Sequence, residues 1–197
     1  MNAGIMICAA ALLGCTSASA IADQNLLSNG DFSSSNQVNG WSAGLWSSDD
    51  ANGDVASGSI EFDIAANSTG ASAQSACFGV VPGAAVSTAA QNKPVSGTNF
   101  LLIRFTCDVF SDANCQNSLK ALILRGQGID STWGAMAALG PGPPDNSGNL
   151  PANALSARCE IDVGVTAGPA ASMRFDNVSF NSQPAPTPVT LQEFNVD

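Results

Sequence analysis

Histidine and tyrosine are absent from the chain, and aromatic residues make up only 6% of its 197 residues. The absence of histidine excludes a Ser-His-Asp triad and a Cys-His pair, which leaves paired carboxylates as the main acid–base option for an enzyme. It also argues against a zinc site, since no C-x-x-C spacing offers a cysteine-only alternative. The absence of tyrosine leaves Trp41, Trp46 and Trp133 as the large rings with a polar edge.

Basic residues are also scarce. Six Lys and Arg stand against sixteen Asp and Glu, which gives a net charge of −10. Nucleic acid and anionic membranes need a basic surface, so neither is an expected partner, and the plain interpretation of the acidity is solubility. Only 11% of residues are charged, whereas glycine and small polar residues are plentiful. This composition favours a many-turned extracellular β protein.

The amino-terminal residues 1–20 have the form of a signal peptide, with an apolar run over residues 5–13 followed by small residues. The run is too short to span a bilayer, so no transmembrane segment is expected. "ASA" at residues 18–20 fits signal peptidase, whereas "LLGC" at residues 12–15 is similar to a lipobox that would acylate Cys15. Simple export is favoured, which predicts a secreted, periplasmic or cell-surface protein.

Four cysteines remain beyond this segment: Cys77, Cys107, Cys115 and Cys159. An even number in an oxidising compartment predicts two disulfides, for which three pairings exist.

Short apolar or alternating segments follow one another along the rest of the chain, separated by Gly, Asn, Ser and Pro. They cover residues 57–65, 75–81, 84–91, 100–110, 133–139, 155–165 and 172–180, and residues 118–124 are either a further strand or a helical turn. No segment has helical periodicity over three turns. The pattern predicts an antiparallel β-sandwich over residues 25–181. A Pro-rich tail over residues 182–197 would end in an edge strand or a docking peptide.

Three pieces of sequence carry a family resemblance: "NLLSNGDF" from residue 25, "GW" at residues 40–41 and "FDNVSF" from residue 175. With the interior segments, they resemble the galactose-binding-like jelly rolls that include carbohydrate-binding modules of families four, nine and twenty-two. The resemblance implies an all-β jelly roll whose first and last strands run side by side. Phe32, Trp41, Phe175 and Val178 would then lie in the core.

The resemblance also implies a structural calcium ion near that junction, held by the carbonyl group of Gly30 and the carboxylate of Asp176. Ser33 stands where relatives often have a ligating glutamate. A second candidate is "DDANGD" at residues 49–54, where Asp50 and Asp54 flank an Asn-Gly turn. The same residues are ordinary turn formers, so calcium and a plain turn both stay open.

The resemblance further favours the pairings Cys77 with Cys115 and Cys107 with Cys159. The rival pairing joins Cys107 to Cys115.

As a carbohydrate-binding module, the chain would stack an aromatic ring against a sugar and bind its hydroxyls with polar side chains. Trp46 is the best stacking candidate because it lies beside the acidic loop, with Asp49 and Trp133 as further contacts; core packing is the alternative for both tryptophans. "EFDIAA" at residue 61 and "EIDVGV" at residue 160 each place two acids on one strand face but lack a third carboxylate. We therefore predict a non-catalytic glycan-binding module. The alternative is a structural or adhesive scaffold, and a glycoside hydrolase is the less favoured third.

Overall fold

A computed structural model describes residues 24–128, 130–138 and 147–183. The predictions made for residues 1–20, for Cys15 and for the tail beyond residue 183 lie outside these residues. The described chain forms thirteen strands and no helix: β1 (Gln24–Asn25), β2 (Leu45–Ser47), β3 (Ser59–Ile64), β4 (Gly70–Gln74), β5 (Phe78–Gly79), β6 (Ala85–Ser96), β7 (Phe100–Phe110), β8 (Ser118–Arg125), β9 (Gly134–Ala135), β10 (Ala137–Ala138), β11 (Ser147–Asn149), β12 (Ser156–Val165) and β13 (Ala171–Gln183). Within these ranges, no helix capable of crossing a membrane is present.

The strands form two antiparallel sheets. The seven-stranded sheet has the order β11-β6-β13-β3-β2, with β1 paired to β13 and β9 paired to β6. The six-stranded sheet has the order β10-β8-β7-β12-β4, with β5 paired to β12. This architecture confirms the predicted β-sandwich, and residues 118–124 belong to a strand rather than to a helical turn.

Three predicted strands differ from the observed ones. Residues 75–81 are mostly outside strands, because the edge of the sheet is formed earlier by β4. The strand predicted at residues 84–91 continues through Pro94, which is tolerated next to a register shift in the pairing of β6 with β13. The described part of the segment predicted at residues 133–139, which ends at residue 138, is divided between the sheets, because β9 pairs with β6 whereas β10 pairs with β8.

Buried and outward-facing residues alternate along the long strands, and the buried ones form the core. In β7, Ile103, Phe105, Cys107 and Val109 are buried, while the residues between them are half-buried and face outward. The largest side chains with almost no exposure come from both sheets: Phe32, Phe105, Phe175, Phe180, Ile60, Leu122, Leu124, Ile161, Met173, Val109, Val163 and Val178. Phe32, Phe175 and Val178 are fully buried and Trp41 is 8% exposed, so the predicted core positions are confirmed.

The beginning and the end of the domain meet, as the resemblance implies. The backbone N–H of Val178 donates to the carbonyl oxygen of Gly30 over 2.9 Å. A Cβ atom at Gly30 would overlap the carbonyl oxygen of Val178, so only glycine permits this close approach. Asn25 strengthens the junction, because its side-chain oxygen accepts the backbone N–H of Phe180 at 3.1 Å.

Both predicted disulfides are confirmed. Cys77 is bonded to Cys115 with 6.0 Å between their Cα atoms. Cys107 and Cys159 lie directly opposite each other on β7 and β12, with 4.0 Å between their Cα atoms. The second bond is fully buried and joins the two central strands of the six-stranded sheet.

Candidate functional site

Trp46 lies on the inner side of the seven-stranded sheet. Its register partner in β3 is Ile60, which is fully buried, so the two side chains point toward the core. The indole is half-buried and packs against the core, and its N–H donates to the carbonyl oxygen of Phe32 over 2.9 Å. These contacts correspond to the core-packing alternative for Trp46 and leave its polar edge satisfied.

Asp49 and Trp133 come together on the outer side of the same sheet, where Lys93 lies between them. The Lys93 Nζ atom is 2.7 Å from the Asp49 carboxylate and 5.8 Å from the centroid of the Trp133 ring. Arg174 binds Asp49 as well and lies 2.8 Å from the carboxylate of Glu61. Asp49 therefore belongs to a compact network of two acids and two bases.

The charge network also sets the protonation of Asp49. Partial burial acts to raise its pKa, but hydrogen bonds from Lys93 and Arg174 outweigh burial and hold the pKa below its usual value. Asp49 is therefore an anion already neutralised by two neighbours. A ligand on this side of the molecule would have to compete with those ion pairs.

The four predicted calcium ligands do not all converge. The Gly30 carbonyl accepts the backbone N–H of Val178, and the Asp54 carboxylate accepts the backbone N–H of Ala56 at 2.9 Å. The Asp50 carboxylate accepts the N–H groups of residues 52 and 54, which are turn-forming contacts. Within the part of the chain that the structure describes, no three acidic or cysteine side chains cluster as metal ligands.

Asp50 and Asp176 nevertheless interact directly. Asp176 is fully buried, and its carboxylate accepts the backbone N–H of Ala51 at 2.8 Å. Burial, followed by the nearby charge of Asp50, raises the pKa of Asp176 to about 7, although two backbone hydrogen bonds act in the opposite direction. The buried carboxyl group of Asp176 thus faces the half-buried carboxylate of Asp50, an arrangement that disfavours a negative charge on Asp176.

The outer side of the six-stranded sheet carries a second collection of mostly polar side chains, which we call the polar face. Its members alternate with core residues along four strands: Gln74 from β4, Arg104, Thr106 and Asp108 from β7, Ile123 and Arg125 from β8, and Arg158, Glu160 and Asp162 from β12. The strand register arranges them in rows, such as Ile123, Thr106, Glu160 and Gln74. Neighbouring strands are about 4.8 Å apart, so this row is about 14 Å long.

Several polar groups on this face are paired. The Arg104 Nη2 atom is 2.8 Å from a carboxylate oxygen of Asp162, and the side chain of Gln74 donates to Glu160 over 3.4 Å. Two atoms are not satisfied: Arg104 Nε and Thr106 Oγ1 are buried and have no hydrogen-bond partner. They lie two residues apart on β7 and face the same way.

Partial burial also affects Asp108 on the same strand. Desolvation raises the pKa of its carboxyl group, and the charge of Glu160 adds to this effect, while Arg158 and Arg104 oppose it. The polar face therefore offers hydrogen-bonding groups of both signs in a partly desolvated setting. Such groups suit a ligand rich in hydroxyls.

The sequence predicted one property of the polar face and missed its importance. Glu160 and Asp162 were expected to share a strand face, which is confirmed, but the sequence did not connect them with a ligand site. A usable signal was present in the arginines, since Arg104, Arg125 and Arg158 all alternate with apolar residues of their strands. Only the pairing of β7 with both β8 and β12 brings these positions together.

Neither a comparison with protein-family models nor one with curated proteins found a match. Solved structures do match, including the enzymatically active domain of bacteriophage CBA120 tailspike protein 4, with a TM-score of 0.60, 15% identity and coverage of 81% of this chain. The chain spans only 21% of the length of that tailspike chain.

Two carbohydrate-binding modules match over almost their whole length. The family 16 carbohydrate-binding module-2 gives a TM-score of 0.52 at 16% identity over 79% of this chain and 99% of that one. A family 61 module, solved in complex with β-1,4-galactotriose, gives a TM-score of 0.50 at 12% identity over 81% of this chain and 99% of that one. These likenesses show that the chain has the β-sandwich jelly-roll fold of carbohydrate-binding modules.

Proposed function

We propose that the chain is an exported, non-catalytic module that binds a glycan on the polar face of its six-stranded sheet. The observation that carries this proposal is the pair of buried, unsatisfied atoms Arg104 Nε and Thr106 Oγ1 in the middle of an outward sheet surface. A buried polar group without a partner costs about 1–3 kcal/mol. A ligand that supplies the missing hydrogen bonds recovers that cost on binding.

Sugar hydroxyls fit these groups because each hydroxyl both donates and accepts. Arg104 Nε can only donate, Thr106 can do either, and the Glu160 carboxylate accepts. The row from Ile123 to Gln74 crosses four strands and could contact more than one ring of an extended chain. Few aromatic side chains are needed, because the face recognises its ligand by hydrogen bonds and charge.

The fold supports the same proposal. Two carbohydrate-binding modules share it over nearly their full length, one of them in complex with β-1,4-galactotriose. A fold of this kind hosts unrelated functions, so the argument depends on the polar face. If that face binds no ligand, the structural or adhesive scaffold is the remaining interpretation.

Trp46, Asp49 and Trp133, the residues predicted from the sequence, give the competing location. Trp46 points toward the core and its N–H is bonded, while Asp49 is neutralised by two bases. Lys93 lies over one part of the Trp133 ring, whose buried N–H has no hydrogen-bond partner among the described residues. We propose structural roles for these residues, and Trp133→Ala and Trp46→Ala belong in the binding test as direct comparisons.

One observation favours hydrolysis as a second candidate function. A carboxyl group with a raised pKa next to a carboxylate is the pattern of a glycosidase acid and its partner, and Asp108 lies near Glu160. Release of reducing ends from any polysaccharide that binds, together with its loss in Asp108→Asn, would establish that activity. We expect binding without release.

A structural calcium ion at Asp50 and Asp176 is part of the proposal. The two facing carboxylates supply hard oxygen ligands whose mutual repulsion a cation would relieve. Backbone carbonyls and water would have to complete the coordination. Calcium should then raise the melting temperature of EDTA-treated protein. The variant Asp50→Asn should lose this effect, and Asp54→Asn should keep it. Equal melting temperatures of the native protein with and without calcium would contradict a calcium site.

Export is proposed on chemical grounds. Two disulfides form and persist in oxidising compartments, which agrees with a secreted, periplasmic or cell-surface location. The signal peptide and the lipid anchor at Cys15 remain predictions from the sequence. Mass determination of the amino terminus of the exported protein distinguishes cleavage after Ala20 from acylation at Cys15.

The binding test is a glycan-array screen of the oxidised chain from Asp23 onward, followed by titration of the best ligand. Thr106→Val removes the unsatisfied hydroxyl at nearly constant volume, and Thr132→Val makes the same change at an exposed threonine away from the polar face. We expect Thr106→Val to weaken binding about tenfold and Thr132→Val to leave it unchanged. Unchanged affinity in Thr106→Val, with loss in Trp133→Ala, would refute the proposed location.

A further inference from the structure

Most of the few arginines in this acidic chain lie on one surface. The sequence contains four arginines, and Arg104, Arg125 and Arg158 all belong to the polar face. The fourth, Arg174, lies on the other sheet and is bound to Asp49 and Glu61. A chain with a net charge of −10 therefore concentrates its guanidinium groups on the surface proposed to bind a glycan.

Two of these arginines form a like-charge pair. Arg104 on β7 is the direct register partner of Arg125 on β8, and like charges in such positions destabilise a sheet. The Nη2 atom of Arg104 binds Asp162, but its buried Nε atom has no partner. Arg125 is exposed, and no ion pair or hydrogen bond to its side chain occurs among the described residues.

Among the described acids of the polar face, Asp162 pairs with Arg104 at this corner and none pairs with Arg125. Asp162 lies on the opposite side of Arg104 from Arg125, and Glu160 accepts a hydrogen bond from Gln74. Asp108 is four residues from Arg104 along β7, a separation of about 13 Å. The corner formed by Arg104 and Arg125 thus keeps an uncompensated positive charge and free donors.

We propose that the Arg104–Arg125 corner binds an anionic group of a polysaccharide, so that the ligand of the polar face is a polysaccharide carrying carboxylates or sulfate esters. The planar guanidinium fork matches the paired oxygens of either group. Thr106 lies two residues from Arg104 on the same face and would contact a hydroxyl of the same or the next ring. This inference rests on the proposed glycan-binding function and specifies its ligand class.

The test uses the oxidised chain from Asp23 onward and titration calorimetry. The probes are polygalacturonate and its carboxyl-reduced, neutral counterpart, together with dextran sulfate and dextran. Arg125→Gln is the main variant, because Arg125 is exposed and has no ion pair to lose. Lys120→Gln is the matched control: it removes the same charge from β8, at a half-buried residue on the opposite side of the strand from Arg125.

We expect native protein to bind an anionic polymer roughly ten- to hundredfold more tightly than its neutral counterpart. Arg125→Gln should remove most of this difference, and Lys120→Gln should preserve it. A preference confined to polygalacturonate identifies carboxylates, and one confined to dextran sulfate identifies sulfate esters; either supports the inference.

The contrary outcomes distinguish failure of the anionic ligand class from failure of glycan binding itself. Equal binding of charged and neutral polymers would overturn the anionic ligand class and leave glycan binding intact. Equal losses in Arg125→Gln and Lys120→Gln would indicate a general charge effect and would also overturn it. Absence of binding to every probe and to the glycan array would overturn both.

Discussion

Replacing Asp176 by asparagine should make the stability of the domain less sensitive to pH. Asp176 is fully buried where the last strand meets the acidic loop, and it interacts with the carboxyl group of Asp50. Its pKa of about 7 is well above the value of 3.8 expected in the unfolded chain. Folding therefore binds a proton at this residue at intermediate pH.

The sign and size of the effect follow from the two pKa values. A carboxyl group whose folded pKa is raised stabilises the fold fully when both states are protonated, below about pH 4. That contribution is lost as the pH rises toward 7, because the unfolded chain ionises first. The difference of about three pKa units corresponds to a loss of up to about 4 kcal/mol. The amide of the variant Asp176→Asn cannot ionise, so the stability of that variant should not show this loss.

Urea unfolding at pH 4 and at pH 8, in EDTA to remove metal ions, measures the effect. An asparagine has one side-chain oxygen for the two backbone N–H groups of residues 51 and 177, which costs about 1 kcal/mol at both pH values. The difference between the two pH values is free of this cost, so Asp176→Asn should gain up to about 4 kcal/mol relative to the native protein on going from pH 4 to pH 8. An identical pH dependence in both proteins would refute a raised pKa at Asp176.

Three further changes test the packing. Replacing Cys107 and Cys159 together by alanine should lower the free energy of unfolding by about 4 kcal/mol, since the bond closes a loop with a sequence separation of 52; a urea midpoint equal to that of the oxidised native protein would contradict this. Thr106→Val should raise the melting temperature, because it removes an unsatisfied buried hydroxyl worth about 1 kcal/mol, and a lower value would reveal a missed partner. Gly30→Ala should lower the free energy of unfolding by about 1–3 kcal/mol, because the new Cβ atom overlaps the Val178 carbonyl oxygen. Gly53→Ala, at an open turn, should lower it mainly through the strain of a positive φ at alanine.

The fold could be predicted because its signals are local. Alternation in segments such as residues 100–110 and 155–165 directly identifies strands with one buried side. The family resemblance, carried by the first, last and interior segments, then supplied the jelly-roll fold, the adjacency of its first and last strands and the favoured disulfide pairing. The division of residues 133–139 between the two sheets was not predictable, because it depends on which strand edges lie nearby.

The candidate site depended on relations that one sequence does not display. Trp46 lies beside an acidic loop in the sequence, which suggested exposure, yet strand pairing with Ile60 turns its ring inward. Asp49 was expected to contact a sugar, but Lys93 and Arg174 reach it from β6 and β13. Local sequence predicts which residues alternate on a strand; it does not predict which strands lie side by side.

Net charge is likewise a weak guide to whether a chain binds a single anionic group. A total of −10 argues against long anionic partners that cover a large surface, as nucleic acid does. It does not argue against one anionic group held at the corner formed by Arg104 and Arg125, where short-range charge-assisted hydrogen bonds would dominate. The surrounding acidity would instead repel anions elsewhere on the surface. Anion binding by such a protein should therefore depend on few residues, which is why the single change Arg125→Gln is a decisive test.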